Sequence, residues 1–228
     1  MKTEEYIILI PARKNSKRLK GKNKRMLMGK PLINHSIEYA LNNFPKNQIW
    51  VNSDDNEIKD ITDSYEVNFY KRDDNLALDE TSTNSVVFDF CEYLISKNIK
   101  FNNVITLQPT NPIRSEGLLV DCIKKYENSD RNSLMTVSVL HKKFGSIKDG
   151  SYHPVNYKIG QRHQDLDDLF YENGLIYISS KHAIINLNNY ISEDVLPYLT
   201  SEIGSIIDID FEIDLKYAEL ILKNQDYL

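Results

Sequence analysis

What most constrains this chain is an alternation of lengths. Short apolar runs of strand type are separated by longer stretches in which apolar side chains recur at helical spacing, the pattern of βαβ units around a mostly parallel sheet. The runs are Tyr6 to Ile10, "QIWVNSDD" from Gln48, "VNFY" from Val67, "VITLQP" from Val104, "LMTVSVL" from Leu134, "GLIYIS" from Gly174 and "SIIDID" from Ser205. Between them, Pro31 opens an expected helix through Leu41, because proline suits a first helical turn and Leu32, Ile33, Ile37, Ala40 and Leu41 share a face. Val86, Val87, Phe90, Cys91, Leu94 and Ile95 predict a second helix within Thr83 to Lys97, and a third runs near Gly117 to Tyr126. Asp214 is placed to cap a final helix through Leu222. From about His141 to Phe170 the chain is polar and shows little periodicity, so residues 141–170 read as an excursion from the sheet, a lid or a dimerisation arm.

With 228 residues, 41% of them hydrophobic, the chain can bury one sizeable core, and residues 1–228 read as a single domain. A net charge of -5 carries no overall signature of nucleic-acid binding. The apolar run before Pro11 is too short for a signal peptide or a membrane span, which makes the cytoplasm the expected compartment and a membrane partner unexpected. Cys91 and Cys122 lack metal-type spacing and read as buried apolar thiols.

Against that mildly acidic background the first loop stands out. From Arg13 to Arg25, eight of 13 positions are basic: Arg13, Lys14, Lys17, Arg18, Lys20, Lys22, Lys24 and Arg25. A loop at the carboxyl end of the first strand lies where open α/β sheets bind ligands. Gly21 is the only glycine between Pro11 and Met28, so neither a Walker A loop nor GxGxxG is present. Side-chain guanidinium and ammonium groups, rather than a glycine-lined backbone, would have to surround a polyanion, and a triphosphate fits.

Near the other end, Asp208 and Asp210 stand two apart, so a strand would project both carboxylates from one face and Ile207 and Ile209 from the other. Hard oxygen donors beside a phosphate site suit Mg²⁺, which takes one or two carboxylates plus substrate phosphates. Glu212 and Asp214 read as helix-start residues. Gln108 sits at a strand's carboxyl end, where its amide can both donate to and accept from sugar hydroxyls. The five histidines show no ligand spacing and no GxSxG elbow occurs, so covalent catalysis is not indicated. The 14 tyrosines suit strand and core positions, with Tyr177 and Tyr190 candidates for lining a substrate pocket.

Taken in order, "IPARKNSKRLKGKN" with "MGKPLI", "VNSDDNEI", "KRDDNLALDETST", "LQPTNPIR", "RHQDL", "YENGLIYI" and "DIDFEIDLKYAELIL" resemble the motifs of the acylneuraminate cytidylyltransferases, which make CMP-sialic acid and related CMP-nonulosonic acids. The resemblance spans nearly the whole chain. It implies an α/β, Rossmann-like nucleotidyltransferase fold with a mostly parallel central sheet and a small dimerisation excursion, and a homodimer acting on CTP and a nine-carbon sugar acid with Mg²⁺. It implies further that Arg13, Ser16, Lys22 and Asn23 address phosphates and ribose, that Arg72, Ser82 and Thr83 recognise cytidine, that Gln108 and Arg162 address the sugar acid, and that Asp208 and Asp210 hold the metal. Arg13, Lys22, Asp208 and Asp210 are then the catalytic set.

The chain departs from sialate-type members after Leu140, where it reads "HKKFGSIKDG", leaving Lys143 or Lys148 as substitutes for a family lysine. "RHQDL" is closer to the "RRQDL" of legionaminate-type enzymes, and Ile191 follows Tyr190 where an aromatic pair is expected. These differences bear on the sugar rather than on the reaction. Two rival readings stand beside this one: a glycosyltransferase using Asp208-Ile209-Asp210 as a DxD motif, and a non-catalytic polyanion binder whose affinity would fall steeply with salt.

Overall fold

A computed structural model describes residues 3–200 and 203–224 of the chain. In chain order the elements are β1 (Tyr6–Pro11), β2 (Met26–Leu27), β3 (Lys30–Pro31), α1 (Leu32–Leu41), β4 (Ile49–Ser53), α2 (Asn56–Ser64), β5 (Asn68–Lys71), α3 (Thr83–Ser96), β6 (Asn103–Thr106), α4 (Leu118–Glu127), β7 (Ser133–Val139), β8 (Gly145–Lys148), β9 (Ser151–Pro154), β10 (Phe170–Ser180), α5 (Lys181–Ile185), β11 (Leu196–Leu199) and α6 (Glu212–Lys223).

Among the described residues, seven strands form one sheet in the order β11-β7-β10-β6-β1-β4-β5. Their pairings are parallel except that β10 runs against both β6 and β7, which confirms the mostly parallel sheet. The apolar run of β1 explains its central place. Ile8 and Ile10 face α1 and α4 through Ile33, Ile37, Leu119 and Ile123, while Ile7 and Leu9 face α3 through Val87, Phe90 and Leu94. Both faces are therefore covered, and each fully buried Ile or Leu contributes about 1.5–3 kcal/mol of apolar transfer. The chain leaves β1 for β4 and β5 on one side, then crosses to β6 on the other. That reversal opens a crevice above the carboxyl ends of β1 and β6.

A third apolar cluster positions the basic loop and the C-terminal helix together. Leu19, at the middle of the basic run, is buried with Leu27, Ile113, Ile207, Ile209 and the inner face of α6 at Leu215, Ala218 and Ile221. Cys91 and Cys122 are buried and unbridged, as their spacing predicts, and burial pushes the Cys91 thiol up to about 12.

One expectation is corrected. "SIIDID" is not a strand: Ile203–Ile206 is a 3₁₀ turn, and residues 207–210 run outside the sheet. The Ile209 amide donates to the Thr110 carbonyl at 2.8 Å and the Asn111 amide donates to the Ile207 carbonyl at 3.0 Å, so a turn supplies the partners a ladder would have supplied. Residues 141–170 hold a two-stranded sheet of their own, apart from the seven-stranded one. Their β8–β9 hairpin turns at Asp149-Gly150, both with positive φ, the Asp-Gly signal of a two-residue loop that "IKDGSY" carries openly.

Candidate active site

A cleft of about 590 Å³, within the range of small-ligand sites, opens at the crevice between β1 and β6. Arg13, Ser16, Lys22, Asn23, Arg72, Thr83, Gln108, Asp208 and Asp210 all line it, from five separate stretches of chain. The loop after β1 reaches it through local devices. Gly21, with φ 62°, turns the chain into the short 3₁₀ helix Lys22–Lys24, and buried Asn23 donates to the Arg13 carbonyl at 3.0 Å. The loop is thus folded back on its own beginning and anchored by Leu19.

The eight basic residues do not act as one patch. Arg13, Lys17, Arg18 and Lys22 line the cleft, whereas Lys24 pairs with Asp55 at 2.9 Å and with Glu57 at 2.6 Å, and Arg25 pairs with Glu212 at 2.5 Å, on other surfaces. The four cleft cations divide between two carboxylates. Arg13 and Lys17 hold Asp79 at 2.7 and 3.1 Å; Arg18 and Lys22 hold the two oxygens of Asp210 at 2.8 Å each. The charge run after β1 marks Lys17 and Arg18 as cations, but nothing local in the sequence marks Asp79 as a partner.

Asp208 and Asp210 keep the alternation expected of them without the strand. Ile207 and Ile209 are buried, and both aspartates reach the cleft. The enclosing walls withdraw water from the Asp208 carboxyl and Asp210 lies nearby with like charge. Together they hold Asp208 above the usual carboxylate range, against the opposing hydrogen bond from Thr110 and the charges of Lys22 and Arg18.

Across the cleft, Arg72 is 5% exposed and donates to Asn52 through Nε at 2.7 Å and Nη2 at 3.4 Å. Burial lowers it to about 10, and among the described residues it forms no ion pair. Beside it, Thr81 and Thr83 face the cleft at the start of α3. Ser82 does not line it: its hydroxyl accepts the Ser85 amide at 3.1 Å as the α3 cap, so the hydroxyl pair on the wall is Thr81 with Thr83. The spacing of Ser82 ahead of the helical run is the signal for that cap.

The remaining expectations fall outside the cleft wall. Tyr177 and Tyr190 are brought together, ring centroids 5.7 Å apart, with the Tyr177 hydroxyl donating to Glu172 at 2.5 Å. Burial first, and the charge of Glu172, raise both phenols, and Asp208 adds to the effect at Tyr177. Arg162 lies on the excursion, largely exposed, in a bidentate pair with Asp165 at 2.8 Å. The floor of the cleft comes from the turn after β6, where Gln108, Pro109 and Thr110 face outward and Arg114 is buried behind them. The Arg114 guanidinium donates to the carbonyls of Gln108 at 2.7 Å and Leu175 at 2.8 Å and to the Ser36 hydroxyl at 3.1 Å.

A cleft that sets clustered cations and two carboxylates against an arginine and threonine wall is built to hold a polyanion with a polar head group. The profile of a family described as cytidylyltransferase matches residues 7–228. The chain is 32% identical to a CMP-N,N'-diacetyllegionaminic acid synthase of Legionella pneumophila, over 97% of this chain and 98% of that one. It is 27% identical to an N-acylneuraminate cytidylyltransferase of Escherichia coli, covering 97% of this chain but 53% of that longer protein. In structure it resembles a CMP:2-keto-3-deoxy-manno-octonic acid synthetase complexed with CTP, with a TM-score of 0.70 over 97% of this chain and 99% of that one. At 14% identity that last likeness speaks to the fold.

Proposed function

The chain belongs to the cytidylyltransferase family and is a nucleotidyltransferase; from that premise we propose that it activates a nonulosonic acid of the legionaminic type with CTP, giving a CMP-sugar and pyrophosphate. The anomeric hydroxyl of the sugar acid attacks the α-phosphorus of CTP, and the bond from that phosphorus to the bridging oxygen of pyrophosphate breaks. The observation that carries this reading is the meeting of Arg13, Lys17, Arg18 and Lys22 with Asp208 and Asp210 in one cleft, opposite Arg72 and Thr83. The full-length likeness to the L. pneumophila synthase and the "RHQDL" segment favour the legionaminic type.

Positioning and charge neutralisation carry most of a phosphoryl-type transfer. Arg13 and Lys22 leave Asp79 and Asp210 for the phosphates and stabilise the departing pyrophosphate, with Lys17, Arg18 and Ser16 beside them. Arg72 and Thr83 hold the cytidine, with the Ser82 cap fixing the start of α3, and Asn23 keeps the loop folded against the ribose. Gln108 meets the sugar hydroxyls at the floor.

The donor set fits Mg²⁺. Two carboxylates beside a phosphate site are what a cation completed by water and phosphate oxygens requires. Asp208 and Asp210 would hold it, and when bound it supplies charge neutralisation at the phosphate oxygens. Arg162, distant in sequence and exposed on the excursion, serves a neighbouring subunit: residues 141–170 act as the arm of a homodimer and bring Arg162 to the sugar carboxylate across it, with Tyr177 and Tyr190 backing the sugar side. No described helix is long and apolar enough to cross a membrane. The reading places the enzyme in the cytoplasm with CTP, and gives it neither a membrane nor a nucleic-acid partner.

The test is pyrophosphate release from CTP and Mg²⁺ with legionaminic, sialic and pseudaminic acids. Fastest turnover with legionaminic acid is expected. Turnover confined to another sugar would overturn the substrate, and a folded protein that fails to bind CTP would overturn the site.

A further inference from the structure

The segment bearing Asp208 and Asp210 has no strand to hold it, yet its carboxylates must be fixed to bind a cation. We propose that Asn111 is the positioning residue for this carboxylate pair, an inference that rests on the metal reading above. Asn111 is 1% exposed and uses every polar position it has. Its two amide hydrogens go to the carbonyls of Asn173 at 2.9 Å and Ile207 at 3.0 Å, and its oxygen accepts the Thr110 hydroxyl at 3.1 Å. One side chain therefore joins the turn after β6 to β10 and to the residue immediately before Asp208. On the other side of Asp208 the Ile209 amide donates to the Thr110 carbonyl at 2.8 Å. Asp208 is thus bracketed by two bonds to a single two-residue turn.

The surroundings are shaped to this side chain. Gly174, with φ 76°, leaves room for it: a Cβ there would lie 2.6 Å from the Asn111 oxygen and 3.2 Å from Gln108 Oε1. Gly204 allows the same closeness on the next turn, where a Cβ would meet the Ile113 carbonyl at 2.6 Å. Beyond Ile209 the Asp210 amide is held by the Asp214 carboxylate at 2.9 Å; on the N-terminal side the Ser138 hydroxyl donates to the Ser205 hydroxyl at 2.9 Å, and the Asn111 bond to Ile207 lies next to Asp208 itself. A supporting residue of this kind fixes ligands it does not itself supply, and losing one typically weakens metal binding about 10–100-fold.

The measurement is Mn²⁺ binding by electron paramagnetic resonance in the presence of CTP, paired with CTP binding without metal and with hydrogen exchange across residues 205–211. Asn111→Asp, which keeps the shape but loses both donated bonds, is expected to weaken Mn²⁺ binding about tenfold or more, to leave metal-free CTP affinity within about twofold, and to speed exchange in 205–211 selectively. Asn111→Ser, which retains one donor, should fall between it and the parent, and it decides the matter if Asn111→Asp does not fold. Unchanged Mn²⁺ binding in the folded variant would overturn the role of Asn111. Asp210→Asn serves as the control: if it too leaves Mn²⁺ binding unchanged, the metal reading fails instead.

Discussion

The rim and the floor of the cleft are built from opposite materials. The rim, from the basic loop and the segment around Asp79, is charged, with Lys17 and Arg18 largely exposed, Arg13 partly exposed and Lys22 mostly covered, and its cations are held by carboxylates at 2.7–3.1 Å. The floor, from the turn after β6 with β10 and residues 207–210, includes the buried side chains of Asn111, Arg114 and Asn173, hydrogen-bonded to neutral partners. An exposed ion pair is worth about 0–1 kcal/mol, so Arg13, Lys17 and Arg18 can trade a carboxylate for a phosphate at little cost. A buried donor or acceptor left unpaired costs about 1–3 kcal/mol, so the floor cannot rearrange without destabilising the fold. The rim is thus suited to exchanging partners, and the floor to holding geometry.

The largest effect is expected where the two meet. Asp210→Asn should lower turnover by about 10²-fold or more, with thermal stability nearly unchanged, since Asp210 is a partly exposed rim carboxylate on a floor-held segment. Retained turnover would separate rim from floor and remove Asp210 from the chemistry. Gly174→Ala tests the floor alone. Its Cβ collides with Asn111 at a positive φ, and urea unfolding should register a loss of about 1–3 kcal/mol. A neutral result would mean that the floor yields as readily as the rim.

Lys22→Ala should raise the CTP requirement about tenfold, the worth of a lost charge-assisted bond, and the loss should shrink as salt rises. The smallest effect carries the opposite sign. Asp79→Asn frees Arg13 and Lys17 and should tighten CTP binding by about two- to fivefold in calorimetry, the scale of an exposed ion pair. Weaker binding in this variant would mean that Asp79 orders the rim instead of competing with the phosphates.

Much of this was legible in advance, for identifiable reasons. The β1 run, the helix within Thr83 to Lys97 and the basic loop are local patterns whose periodicity or charge is written in consecutive residues. The Asp-Gly signal of the β8–β9 hairpin is equally local, although the sparse periodicity around it reads only as an excursion. "SIIDID" misled because alternation marks any extended segment with one buried side, whether its hydrogen bonds run to a strand or, as here, to the side chain of Asn111 and the carbonyl of Thr110. Ser82 reads as a cleft residue by composition because it is a hydroxyl beside Thr83, whereas its place just ahead of the helical run makes it the cap of α3.

Local chemistry, then, settled the β1 run and the helices α1 and α3, that cations cluster after β1, and that two carboxylates stand on one side of an extended segment. Those properties depend on neighbours within a few residues, where backbone geometry and side-chain spacing act directly. Which four of eight cations face the cleft, that Asp79 meets Arg13 across 66 positions, and that Asn111 secures Ile207 across 96 were settled by the sheet order and the third apolar cluster. Contacts at such separation exist only once burial of the core has brought the elements together.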